Sequence, residues 1–416
     1  IKKNIFEELN KKRKQEGLPL FSTPRNAASG SVRQLDPEIT KKRKLSFYGY
    51  TIIGDRKFFG DSLDNIRKLL IKYDFLLNQP SKLCSNFEEM INFYDKINSS
   101  RSLLNYDIDG IVYKIDSIID QEKLGATSRY PRWALAHKFP AENAITIIKD
   151  VSFQVGRTGT ITPVAILKEV KIGGVKINRA TLHNQDEIER LALSLGDTIS
   201  IQRAGDVIPK ITSVVKKADN PKKIEFPKYC PSCNSILKRN QNEAAMRCLN
   251  HNNCSEQVIN SLLHFVSRNA FDISGLGDRQ IRLFWEKKII KNFTDIFLLE
   301  EKTINGEVSL KNIEGLGEKS IANLFVSINS SKKITFSRFI YSLGIRHVGQ
   351  GVAIIISRKF DKVDKFIEYF LKREDTDSIE GVGDIIIKSI KSYLNNNNYI
   401  TQIYSLLKYI DLQYES

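Results

Sequence analysis

Four of the five cysteines fall close together, as Cys230-Pro-Ser-Cys233 and the pair Cys248 and Cys254. A Cys-x2-Cys knuckle places two thiolates on one turn, and a second pair about fifteen residues later can close a tetrahedron around zinc. Four thiolates leave no position for water, so the expected role is structural. His251 lies inside the second pair and is an alternative ligand to Cys248 or Cys254. Cys84 stands apart and is expected to be a buried, inert thiol.

A second group of residues suits phosphate. Lys114 ends the run Asp109-Gly-Ile-Val-Tyr-Lys114, and Lys138 sits in the next strand-like run. Both can face a triphosphate- or pyrophosphate-like group. Arg25 and Arg33 flank Asn26-Ala-Ala-Ser-Gly-Ser31, a stretch of small residues that admits a phosphate-bearing ligand. Asp107 and Asp109 alternate on one strand, but a metal-dependent nuclease would need further carboxylates, and no such set is evident.

A third group repeats. Ile273-Ser-Gly-Leu-Gly-Asp278, Ile313-Glu-Gly-Leu-Gly-Glu318 and Ile379-Glu-Gly-Val-Gly-Asp384 share one pattern, with a looser copy at Leu343-Gly-Ile-Arg-His-Val-Gly349. Each is followed by an apolar helical stretch, the arrangement of helix-hairpin-helix units. Glycines there permit positive φ and close approach, so backbone N–H groups at the next helix start can face a DNA phosphate. Gly277, Gly317, Gly349 and Gly383 are the expected contacts, holding duplex DNA in the minor groove without base specificity. Two more glycine-bounded segments, Gln154-Val-Gly-Arg157-Thr-Gly159 and Arg203-Ala-Gly-Asp-Val-Ile-Pro209, offer arginines that clamp a phosphate or simply decorate a β-turn.

These groups need elements to hold them. Residues 1–143 read as mixed α/β: helices near 5–16, 62–73 and 87–97, strands at 46–53 and 109–115, and a loop at 24–31. From 144 to 227 the pattern is five short strands (147–155, 161–170, 175–182, 198–203 and 207–215). They are interrupted by one helix that Asn184 caps, which suits a Greek-key barrel of the OB type. Residues 228–256 carry the cysteines and 257–416 are helical. The expected fold is multidomain α+β: a partial nucleotidyltransferase (adenylation) domain, an OB-fold β-barrel, a four-cysteine zinc finger and a helix-hairpin-helix α domain.

The bulk numbers agree with that reading. The 416 residues exceed one core, and 64 basic against 48 acidic side chains give a formal charge of +16, which favours a polyanionic partner. Hydrophobic content of 41% with 27% charged residues is ordinary for a globular chain. No run approaches the ~18 apolar residues of a membrane span, and the expected location is cytoplasmic.

Together these motifs resemble those of the bacterial NAD-dependent DNA ligases. Phe21-Ser-Thr-Pro-Arg-Asn-Ala-Ala-Ser-Gly-Ser-Val-Arg33, Asp107-Ile-Asp-Gly-Ile-Val-Tyr-Lys114 and Pro131-Arg-Trp-Ala-Leu-Ala-His-Lys-Phe-Pro-Ala141 are similar to the family's adenylation motifs. Val155-Gly-Arg-Thr-Gly159, Ala180-Thr-Leu-His-Asn184 and Arg203–Pro209 resemble its OB domain. The resemblance implies that Lys114 and Lys138 contact nucleotide phosphates, that Arg25, Arg33, Arg101 and Asp109 are essential at the active site, and that Arg157 and Arg203 act on nicked DNA. It implies NAD⁺, Mg²⁺ (or Mn²⁺) and Zn²⁺ as cofactors. It also implies a monomeric, nucleoid-associated enzyme that seals nicked double-stranded DNA in replication and repair through enzyme-AMP and DNA-adenylate intermediates. The family's nucleophilic Lys-x-Asp-Gly is not found; Lys114-Ile-Asp-Ser117 lacks its glycine. The family's N-terminal nicotinamide-mononucleotide module and C-terminal BRCT module are likewise not found. The chain is therefore expected to be a fragment that does not self-adenylate, or else a catalytically inactive nick- or duplex-binding module derived from a ligase.

Overall fold

A computed structural model describes residues 1–127, 130–140, 142–172, 175–203, 209–239, 243–251, 253–313, 315–372 and 379–414. The chain forms two compact units. The first comprises Ile1–Asp150, Ala165–Thr181 and Leu193–Lys223; the second comprises Val151–Val164, Leu182–Ala192 and Ile224–Ser416. Among the described residues no helix is long and apolar enough to cross a membrane.

In the first unit the expected loop at 24–31 is instead a helix, Pro24–Val32. Its start is well specified: the Thr23 hydroxyl accepts from the Asn26 N–H at 3.1 Å, and Pro24 occupies the first turn. Ala27 and Ser31 are fully buried, so the small residues serve packing as well as access. Phe21 lies against two guanidiniums, with Arg13 at 4.5 Å and Arg43 at 5.3 Å from the ring centroid. Helices Lys3–Gln15, Leu63–Lys72 and Phe87–Ser100 match the apolar periodicity within a few residues. The strand expected at 46–53 shrinks to Tyr48–Gly49, paired in parallel with Leu76–Leu77. Beyond it Ile53 is 95% exposed, and an unpartnered run of β-formers does not make a strand. Cys84 is half-exposed rather than buried, because no core forms around its loop. Gly110–Lys114 and Ala134–Lys138 form an antiparallel ribbon with Gly110 opposite Lys138. A Cβ at Gly110 would lie 2.7 Å from the Lys138 Cα, so only glycine lets the strands meet there.

Five strands close into a barrel: β1 Glu142–Val155, β2 Ile161–Ile172, β3 Val175–Thr181, β4 Thr198–Arg203 and β5 Lys210–Lys216. Their order around it is β5-β3-β2-β1-β4, with β3 and β5 parallel. That topology, with helix Gln185–Arg190 inserted between β3 and β4, is the OB arrangement rather than a generic barrel. Along β2 the alternate residues Ile161, Ala165 and Leu167 point inward and are buried. Asp197, fully buried before β4, accepts hydrogen bonds from the Ser194 and Ala218 N–H groups and pairs with the Lys217 ammonium at 2.9 Å.

In the second unit an aromatic core holds the helices together. Phe265 stacks on Phe271 at 4.2 Å and on Phe293 at 4.4 Å, and Phe284, Phe336, Phe339, Phe366 and Phe370 are buried. Helix Ser255–Phe265 starts at Cys254, so the last cysteine and the helical core are covalently adjacent.

Candidate functional site

The ribbon of the first unit presents two unlike faces. Strand alternation puts Val112, Lys114, Ala136 and Lys138 on one side, all of them exposed. Lys114 and Lys138 stand at opposite ends, four residues apart in register. At about 3.4 Å per residue that is roughly 13 Å, a span two long side chains can close around a phosphate group. The Lys114 ammonium lies 5.1 Å from the Tyr50 ring centroid. Partial desolvation, then repulsion from the Arg67 guanidinium, hold its pKa below the usual lysine value. A cation weakened in this way is stabilised by an incoming anion.

The other face is braced. Tyr94 stacks on His137 with ring centroids 3.8 Å apart, and its hydroxyl donates to the Lys138 carbonyl at 3.0 Å. The Tyr113 hydroxyl meets His137 Nδ1 at 3.0 Å. Arg101 lies over the Phe139 ring at 5.6 Å and within 3.8 Å of Glu142. Arg101 thus belongs to the bracing side, away from the lysine face. Asp109 is exposed just before Gly110, its carbonyl accepting from the Phe139 N–H at 2.9 Å. Arg25 lies in the first turn of helix Pro24–Val32 and Arg33 caps its end, both exposed. Tyr50, Arg67 and Tyr94 went unnoticed in the sequence, where isolated aromatic and basic residues carry no spacing signal.

In the second unit the four cysteine sulfurs lie within 4.8 Å of one another. Cys230 and Cys254 are 3.9 Å apart, and Cys233 and Cys248 are 3.5 Å apart. Tetrahedral zinc with Zn–S bonds of about 2.3 Å sets its sulfurs about 3.8 Å apart, so the donor set fits that metal. Hairpin Leu237–Arg239/Met246–Cys248 supplies Cys248, and a left-handed Asn234 (φ +56°) tightens the first knuckle. His251 is no ligand: its Nδ1 pairs with Gln257 Oε1 at 2.8 Å. Burial pushes the Cys248 thiol up, reinforced by Cys233, Cys230 and Cys254. At Cys233 burial opposes ionisation, but hydrogen bonds from Ser235 and the neighbouring cysteines outweigh it and hold the thiol down to about 6. Four thiolates in one shell need a cation, and zinc supplies that charge.

The repeated glycines share one geometry. Gly277, Gly317, Gly349 and Gly383 are the N-caps of helices Asp278–Glu286, Glu318–Ser331, Gln350–Ser357 and Asp384–Leu394, each without a side-chain cap. Two residues before each cap the backbone turns left-handed: Gly275 at φ +95°, Gly315 at +86° and Gly381 at +80°. In the third copy His347 takes that place at φ +65°, which explains why it looked loose. Apolar residues anchor each turn from below, among them Ile273, Leu276, Ile345, Val348, Ile379 and Val382, all buried. A Cβ at Gly317, Gly349 or Gly383 would meet nothing within 4 Å, so the helix starts face open space. Uncapped N–H groups with that access can receive an anion.

Arg157 is less exposed than its sequence context suggests. It is half-buried, donates to the Gly344 carbonyl, and burial lowers its pKa. The side chain of Arg203 and residues 204–208 lie outside the described residues.

A lysine-faced ribbon, an OB barrel, a four-cysteine knuckle and glycine-capped hairpins stand together in one chain of multidomain α+β class. Family models agree: residues 1–142 match the NAD-dependent DNA ligase adenylation domain, 145–223 its OB-fold domain and 229–255 its C4 zinc finger domain, while 338–403 match the helix-hairpin-helix motif. A DNA ligase of Parvibaculum lavamentivorans is 44% identical over 405 residues, covering 93% of this chain and 57% of that protein. Those of Ehrlichia chaffeensis and Rickettsia bellii are 42% and 40% identical, covering 94% and 99% of this chain and 58% and 61% of those proteins. The chain belongs to the bacterial NAD-dependent DNA ligase family. It spans about three-fifths of the length of these relatives.

Proposed function

We propose that the protein to which these residues belong seals nicks in duplex DNA at the expense of NAD⁺. The carrying observation is that Lys114 and Lys138 share one open face of the ribbon, where two ammonium groups can hold phosphates on either side of a reacting bond. Their contribution is electrostatic: charge that develops on phosphoryl oxygens meets fixed cations in place of reorganising water. The Tyr94 stack and its hydrogen bond to the Lys138 carbonyl hold that lysine in register. Arg25, Arg33, Arg101 and Asp109 are assigned to the active site by family resemblance alone, Arg101 from the bracing side of the ribbon.

The family uses NAD⁺ and a divalent metal. Among the described residues no carboxylate-bearing group of three side chains gathers, so Mg²⁺ there would lean on phosphates and water more than on a protein cage. The glycine-capped helices and the OB barrel would grip nicked DNA by its backbone, and zinc would hold the fold of the cysteine knuckle. The expected domains are residues 1–143, 144–227, 228–256 and 257–416, working as a monomer near the nucleoid. Lys138→Ala in the full-length protein should abolish sealing while leaving duplex affinity within about twofold. Retained sealing would remove Lys138 from the site. A lysyl-AMP adduct formed by residues 1–416 with labelled NAD⁺ would show that the nucleophile lies inside this stretch.

A further inference from the structure

The four cysteines of the metal knuckle are not equally shielded. Cys230, Cys248 and Cys254 are 2%, 0% and 0% exposed and share a small core with Val155, Ile161 and Leu237. Cys233 is only half-buried, packed against the edge of that core. The Ser235 hydroxyl lies 3.3 Å from its sulfur, and the Asn250 amide donates to that hydroxyl's oxygen at 3.1 Å, which leaves the serine proton free to face the sulfur.

A zinc site holds its sulfurs as thiolates, and the thiolate is the form an oxidant attacks. Burial then decides which of the four a small polar oxidant reaches, and Cys233 is the one with an open side. Cys248 lies 3.5 Å from it, and Cys230 and Cys254 are paired at 3.9 Å. A disulfide sets its sulfurs about 2.0 Å apart, so the first pair has about 1.5 Å to close, within reach of side-chain rotation. Cys230 is instead held in its own turn, where its carbonyl accepts from the Asn234 N–H at 2.9 Å and its N–H donates to the Ser235 carbonyl at 2.8 Å.

We propose that Cys233 is an oxidation site through which a peroxide reversibly discharges the zinc knuckle. The Cys233 thiolate attacks one peroxide oxygen, the O–O bond breaks, and the departing hydroxide takes a proton to leave as water; a sulfenic acid remains. The Cys248 thiolate then attacks that sulfur, the S–O bond breaks, and a second hydroxide is protonated to water. The two sulfurs have lost two electrons and the peroxide has gained them. Two thiolates are left for an ion that needs four, so the metal is released. A second peroxide joins Cys230 to Cys254 by the same steps.

The test uses the zinc-loaded chain carrying Cys84→Ser, which removes the other half-exposed thiol as a sink for oxidant. Brief treatment with iodoacetamide should alkylate Cys233 before the other three. One hydrogen peroxide consumed per chain should release the zinc to a chromogenic chelator that takes none without oxidant, and peptide mapping should find Cys233–Cys248 as the main disulfide. A second should add Cys230–Cys254, and dithiothreitol with added zinc should restore one ion per chain. Another cysteine alkylated first, a Cys230–Cys233 disulfide, zinc retained after peroxide is consumed, or an oxidised form that dithiothreitol does not reverse overturns the assignment.

Discussion

Replacing the cap glycine Gly383 by Asp separates stability from DNA binding, because the two effects have opposite signs. Gly383 sits at φ −77° and ψ 166°, extended backbone open to any residue, and its Cβ would meet nothing within 4 Å. An Asp there can accept the free N–H groups of helix Asp384–Leu394, and such a cap is worth a few tenths of a kcal/mol over glycine. Thermal stability should therefore hold or rise slightly. If those same N–H groups face a DNA phosphate, the new carboxylate takes their hydrogen bonds and repels the phosphate. A hydrogen bond to a charged group is worth about 1.5–3 kcal/mol. With the other hairpins still engaged, a loss of about 2 kcal/mol is expected, roughly 30-fold in affinity. Fluorescence anisotropy on a labelled nicked duplex at fixed salt reads it, since salt alone shifts such affinities by orders of magnitude. Gly317→Asp should behave alike, and Gly383→Ala should cost far less. Unchanged affinity with an unchanged melting temperature would refute the role of these helix starts.

Zinc analysis of the purified chain should give one ion per molecule. Chelation should lower the melting temperature sharply, since binding free energy at such sites (about 10–16 kcal/mol in small fingers) is folding free energy. Asp197→Ala should cost about 1–3 kcal/mol in denaturant melts by leaving two N–H groups without their acceptor. At Asp197 burial is outweighed by Lys217 and the two N–H donors, which leaves the folded pKa below the ordinary value. Its stabilisation is thus full above the unfolded pKa near 3.8 and fades as pH falls through the lower folded value. His347→Gly should leave stability within about 1 kcal/mol, relief of the left-handed strain offsetting chain entropy, while His347→Val should cost more than about 1 kcal/mol.

What the sequence disclosed followed the kind of signal each part carries. The cysteine spacing, the barrel strands and the glycine repeats are local patterns, and all three stand where expected because local geometry dictates them. The helix at Pro24–Val32 was read as a loop because Gly, Ser and Asn outweighed its start signal, Thr23 followed by Pro24. The strand at 46–53 failed for the opposite reason: its residues favour β structure, but pairing comes from elsewhere in the chain. Strand alternation predicts that Lys114 and Lys138 share a face only once the register Gly110 to Lys138 is known, and register is tertiary information. The brace of Tyr94, His137 and Tyr113 joins residues far apart in sequence, so no spacing could reveal it.

The turn Gly156–Thr160 shows how one short motif can serve two neighbours. Its Gly159 carbonyl accepts from the Cys248 N–H at 2.9 Å, and Arg247 donates to the Thr158 carbonyl at 3.1 Å. Gly159 stands at φ +75° with its Cβ position 3.1 Å from the Cys248 carbonyl carbon, so a side chain there would drive the turn off the metal knuckle. From the same turn Arg157 reaches the Gly344 carbonyl, where the third hairpin begins. The zinc ligand Cys248, the turn and that hairpin therefore form one chain of direct contacts. Loss of zinc should accordingly reach beyond the knuckle: as Cys248 loosens, Gly159 loses its partner and Arg157 its fixed purchase on Gly344. Amide exchange should then quicken at 344–350 together with 246–249, while helix Val363–Lys372, whose Phe366 and Phe370 are buried in the helical core, stays protected. Exchange confined to the knuckle would show that the turn holds its place without the metal.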